Sequence, residues 1–89
     1  MREMLLDTRP VEGERGRLRC RYLLTVGEKQ IGSFACEAYG VKIEDELTGE
    51  SVSVPDLTVS AARIDELLER LIRNEVTPAG LEDVLADWL

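Results

Sequence analysis

Eighty-nine residues carrying a formal net charge of −7, with 44% hydrophobic and 33% charged side chains, fit one small domain with a single modest core. That apolar content excludes a disordered chain, and no run approaches the roughly 18 apolar residues of a membrane span. Without any histidine, an imidazole base is excluded, and two cysteines alone cannot complete a zinc site.

Taken in chain order, MREMLLDTRP holds only three consecutive apolar residues, with acidic groups on both sides. The expectation is a chain without an export or transit signal, hence cytoplasmic, with Cys20 and Cys36 as reduced thiols on core-facing positions. Glu3 to Thr8 reads as an edge strand before a loop over Pro10 to Gly16.

From Leu18 the chain alternates. Leu18, Cys20, Tyr22, Leu24 and Val26 share one face, and Arg17, Arg19, Arg21 and Thr25 the other, the period-2 pattern of a half-buried strand. Leu23 is the exception. Gly27 to Gln30 reads as a hairpin loop.

In the next run Phe34, Cys36 and Ala38 are apolar at even positions, whereas Val41, Ile43 and Leu47 are apolar at odd ones. One extra residue near Tyr39 and Gly40, a β-bulge, would return both halves to one face. Thr48 to Glu50 then makes a turn, and Ser51 to Val54 is a short strand stopped by Pro55.

Beyond Pro55 the period becomes helical. Ile64, Leu67, Leu68, Leu71 and Ile72 form one stripe, Ser60 stands at the N-cap position, and Asn74 suits a left-handed helix end. Thr77 and Pro78 start a second helix whose apolar face is Leu81, Val84, Leu85 and Trp88. Helices this short need a surface to pack on, and each buried aliphatic side chain contributes about 1.5–3 kcal/mol. The predicted architecture is α+β: an antiparallel β-meander of three to four strands followed by a two-helix hairpin packed on one sheet face. It is a single domain over 1–89, with the sheet over about 3–54 and helices over 60–74 and 78–88.

AYGVKIE and, above all, LLERLIRNEVTPAGLEDVLADWL resemble a family of short bacterial proteins of clostridial type classed as a domain of unknown function. The resemblance runs from about Leu18 to Leu89 and is densest from Asn74 through Asp83 to Trp88. It implies no activity, cofactor or catalytic residue.

The residues themselves offer little chemistry. Ser33, Ser51, Ser53 and Ser60 have no activating partner in sequence. Glu44, Asp45 and Glu46 alternate across a strand and lack a ligand loop for calcium or magnesium. No glycine spacing matches a phosphate loop. The expectation is no enzyme, no metal and no cofactor.

The one unusual feature is ERGRLRCRY, with Arg15, Arg17, Arg19 and Arg21 at every second position. Residues 1–30 hold seven Lys or Arg against five Asp or Glu, and residues 31–89 hold four against thirteen. If the following hairpin loop has an odd number of residues, Glu37 falls on the face of Arg19 and Arg21 and neutralises part of the row. Trp88, at the end of an apolar stripe, is a candidate anchor for a partner.

The candidate interaction surface is thus Arg15, Arg17, Arg19, Arg21 and Trp88. The reading is a non-enzymatic interaction or regulatory module that meets a protein partner or a second copy of itself, and no membrane. One alternative is a small-ligand-binding protein or enzyme with a pocket of carboxylates and arginines that includes Glu37 and Tyr39. Another is a nucleic-acid-binding module, against which the net charge and the lack of interleaved exposed aromatics argue.

Overall fold

A computed structural model describes residues 1–89. Four strands, β1 (Arg2–Gly13), β2 (Gly16–Ile31), β3 (Phe34–Asp45) and β4 (Ser51–Thr58), form an antiparallel meander in the order β1-β2-β3-β4. Helix α1 (Ala61–Arg73), a 3₁₀ turn (Pro78–Gly80) and helix α2 (Leu81–Trp88) follow.

The alternation of β2 delivers Cys20 and Tyr22 to the same face as Val41 and Ile43 of β3, and both helices lie on that face. Ile64, Leu67, Leu68 and Leu71 of α1 and Leu81 and Leu85 of α2 close the core against it. The two sides of the sheet are called below the covered face and the open face. Tyr22 fastens the layers together, since its buried hydroxyl donates to the Val76 carbonyl at 2.9 Å, between the two helices.

The caps explain where the helices begin and end. The Ser60 hydroxyl accepts from Arg63 N–H at 3.2 Å. At the other end Val76 N–H donates to Leu71 C=O and Glu75 N–H to Ile72 C=O, and the left-handed residue is Glu75 (φ 51), one position later than Asn74. Thr77 makes no side-chain cap. Pro78 starts a 3₁₀ turn and the α-helix proper waits for Leu81, because proline at the first position favours the turn without itself prolonging the helix.

The strands are longer than their sequence pattern predicts. β1 continues through Pro10, which is tolerated because β1 is an edge strand. Gly27 to Gln30 is not a loop. β2 runs on to Ile31, and the chain reverses in two residues, Gly32 and Ser33, with Gly32 at φ 63, where a type II′ hairpin favours glycine. β1 pairs no further than Val26 and β4 no further than Tyr39. Residues 27–38 therefore project as a two-stranded ribbon, which is why polar residues there do not end the strand.

The β2–β3 register is unbroken from Cys20↔Asp45 to Ile31↔Phe34, so the expected bulge in β3 is absent. The extra residues are on β4 instead: Pro55, Asp56 and Leu57 face the single Gly40 between the pairs Tyr39↔Thr58 and Val41↔Val54. This three-against-one bulge folds over the open face at Gly40, where a Cβ would lie 2.6 Å from Pro55 Cα and 2.7 Å from Thr25 Oγ1.

Without a bulge in β3, the parity switch in the sequence is a true change of side. Val41 and Ile43 face the helices, whereas Phe34, Cys36 and Ala38 face the open side, as does Leu23, the exception in β2. Cys36 is accordingly half-buried on the open face and only Cys20 sits in the core.

Candidate interaction surface

The open face has two chemically different ends, and the arginines occupy one of them. Arg15 stands exposed in the two-residue turn between β1 and β2, outside both strands. Arg17, Arg19 and Arg21 follow on β2. Arg17 Nε meets Glu12 Oε1 at 3.2 Å across the β1–β2 pair, with both side chains about three-quarters exposed. Arg19 lies 3.8 Å from Glu46, and Arg21 binds Glu44 at 3.0 Å and Glu46 at 3.3 Å. Lys42 extends the series to Glu44 and Glu3. The result is one chain of alternating sign across three strands: Arg19, Glu46, Arg21, Glu44, Lys42, Glu3.

Glu37 is not among these partners. The two-residue hairpin loop pairs even positions with odd ones, which sets Glu37 opposite Glu28 at the far end of the sheet. There it accepts from Arg2 at 2.6 Å and from the Tyr39 hydroxyl at 3.3 Å. Glu37 and Tyr39 therefore meet one arginine, and none of the β2 row.

Asp45 places Glu46 beside the row. Its fully buried carboxylate accepts from Arg19 N–H at 3.0 Å, Leu47 N–H at 3.1 Å and the Thr48 hydroxyl at 2.7 Å. These donors, the Thr48 hydroxyl foremost, hold its pKa below the ordinary carboxylate value despite burial. Because the folded value is the lower one, the resulting stability is present above the unfolded pKa of about 4 and is lost as pH falls through the folded value. Asp45→Asn should flatten the acid limb of stability by up to one proton, measured by urea unfolding between about pH 5 and pH 2.

Trp88 is also engaged. The Arg63 guanidinium lies 4.4 Å from its ring centroid, and Arg63 Nη2 donates to the Trp88 carbonyl at 3.5 Å. This cation–π stack joins the start of α1 to the end of α2 and occupies one ring face that a partner would need.

The opposite end of the open face is apolar. Phe34 is 76% exposed and Ile31 49%, paired across the tip of the ribbon. Met1, Gly27 and Cys36 line a shallow groove of about 330 Å³ together with Arg2, Glu28, Ala35 and Glu37, which the register places on the covered side of the sheet. Leu5, half exposed, pairs with Leu23 where β1 joins the same side. Sequence reasoning missed this end, although Leu23 and the even-numbered Phe34, Cys36 and Ala38 signalled it. A wider groove at the arginine end, about 800 Å³, is lined by Arg15 and Arg17 together with Glu12, Glu14, Glu50 and Asp83, so carboxylates outnumber its arginines.

A family model described as a family of unknown function, DUF6514, matches residues 2–89. No curated protein and no solved structure matches the chain.

Proposed function

For this chain, which belongs to the DUF6514 family of unknown function, we propose a non-enzymatic interaction or regulatory role in a bacterial cytoplasm, with the ribbon end of the open face as its contact surface. The observation that carries this reading is the position of Phe34 and Ile31. Two large apolar side chains lie in water at the tip of a projecting hairpin, where they contribute nothing to the core, and monomeric proteins seldom leave such groups clustered.

The arginine row supports the same choice by contrast. Arg17, Arg19 and Arg21 already have carboxylate partners within the chain. A nucleic-acid phosphate would have to displace those carboxylates while approaching a molecule of net charge −7.

The test is position-resolved photo-crosslinking in the protein's own host. With a benzoylphenylalanine at position 34 or at position 17 of the tagged chain, we expect protein adducts from position 34 and few from position 17. Adducts from position 17 alone would refute the assignment of the surface.

A further inference from the structure

We propose that the N-terminal half of the β1 edge takes up an extended, uncharged segment of another polypeptide as an added strand, bonded through the main chain of Glu3 and Leu5. The site is separate from the ribbon contact at Phe34 and Ile31.

Strand parity shows which backbone groups are unpaired. β1 is an outer strand of the sheet. Two-residue turns pair Gly13 with Gly16 and Ile31 with Phe34, so β2 bonds toward β1 from its even positions and toward β3 from its odd ones. Arg19 agrees, since its N–H donates to Asp45 at 3.0 Å and its C=O accepts from Glu46 N–H at 2.9 Å. Glu3 and Leu5 lie opposite Thr25 and Leu23, two odd positions. They therefore direct their own N–H and C=O away from the sheet.

The next stretch of that edge is guarded. A register shift between Leu5 and Asp7 changes the parity, and beyond it Thr8 and Pro10 point outward, opposite Arg21 and Arg19. Asp7 Oδ1 accepts the Thr8 N–H at 2.8 Å, and Pro10 has no N–H to offer. Both devices keep an edge strand from pairing. Neither protects Glu3 and Leu5, and there Met4, Leu5 and Leu6 are exposed by 49, 50 and 46%. Unguarded main chain coincides with three consecutive large apolar side chains.

The side chains define the occupant. Leu5 stands on the open face opposite Leu23, and Met4 on the covered face opposite Leu24, so a segment laid along them meets apolar groups on both sides. An amphipathic strand would set polar groups against one of them, whereas a run of consecutive apolar, β-branched residues satisfies both. In such strand addition, main-chain bonds hold the segment and its side chains select it. The neighbouring charges Arg2, Glu3 and Asp7 are paired with Glu37, Lys42 and Arg9, which leaves no ion for a charged segment to meet. A second copy fits less well. Pairing two β1 edges through both residues sets the Glu3 carboxylate of each beside Leu5 of the other.

The test uses the intact chain and a fluorescein-labelled, end-capped heptapeptide with a Val-Ile-Val centre between polar, lysine-bearing ends. Titration to about 1 mM should give saturable binding by fluorescence anisotropy, with the largest amide shifts at residues 2–6 in NMR spectra. Amide exchange at Glu3 and Leu5 should slow by about tenfold or more at saturation, since both N–H groups leave water for a peptide carbonyl. Methylating the three central peptide nitrogens keeps the apolar side chains and the charge but removes the donors, and should abolish binding. Glu3→Pro removes an outward N–H without touching a bond to β2 and should weaken binding by about tenfold or more. Phe34→Asp should leave it unchanged.

No binding at about 1 mM, equal binding of the methylated peptide, or unchanged affinity in Glu3→Pro would each overturn the proposal. If Glu3→Pro fails to fold, the methylated peptide decides. Protection of Glu3 and Leu5 that rises with chain concentration alone would overturn it in favour of a second copy. Loss of binding in Phe34→Asp would place the peptide on the ribbon and overturn the edge site. Failed crosslinking at position 34 with peptide binding intact would refute the ribbon contact and leave the edge site standing.

Discussion

Gly40→Ala should cost about 2–3 kcal/mol, among the largest losses available to a single methyl group in this chain. Gly40 has an ordinary backbone conformation, so the requirement is space. A Cβ there would collide with the Val54 carbonyl oxygen and stand 2.6 Å from Pro55 Cα. Both are backbone atoms of the β4 bulge and cannot rotate away.

Relief requires β4 to lift from β3, which exposes Thr25 and loosens the link into α1. Chemical denaturation should show a lower midpoint with an unchanged slope. The thermal midpoint should fall by roughly 4–8 °C per kcal/mol in a domain of this size. Gly27→Ala is the control: a Cβ at Gly27 meets nothing within 4 Å, so its effect should be confined to strand propensity.

The second large effect is Tyr22→Phe. The ring fills the same space, but the Val76 carbonyl loses the only side-chain donor it has, at a buried junction between α1 and the 3₁₀ turn. An unsatisfied buried acceptor costs about 1–3 kcal/mol.

The same substitution separates out an alkaline effect. Burial, with Cys20 as its neighbour, pushes the Tyr22 pKa well above the usual phenol value, so the folded chain keeps this proton where the unfolded chain releases it. The stability from Tyr22 is therefore complete below the unfolded value of about 10 and declines as pH rises past it. Equilibrium unfolding from about pH 8 to pH 11 should show a shallower decline in Tyr22→Phe than in the parent.

Particular residues show how much of this was legible beforehand. Leu18, Cys20 and Tyr22 announced a core-facing strand, and the stripe from Ile64 to Ile72 announced α1, because each pattern is local and repeats several times. Phe34, Cys36 and Ala38 were legible as apolar and illegible as to side. Alternation within one strand cannot distinguish a bulge from a true change of face, and only the register against β2 decides between them.

The extra residues needed for the bulge lay in β4, behind Pro55, where proline reads as a stop. The arginine row was likewise visible as a row while its partners were not. Whether Glu37 or Glu44 shares its face depends on whether the hairpin loop holds an odd or an even number of residues, a property of Gly32 and Ser33 rather than of any charged residue.

The open face is divided in chemistry, with an ionic end whose Arg17, Arg19 and Arg21 are paired within the chain and an apolar ribbon end, and the proposed function assigns contact to the ribbon. Hydroxyl-radical footprinting tests that division most directly, comparing the chain inside its host cells with dilute purified protein. Protection should appear at Met1, Ile31 and Phe34, with the Arg17 to Arg21 segment and Trp88 unchanged. Full reactivity at Ile31 and Phe34 in cells, with protection at the arginine end or at Trp88, would contradict the account.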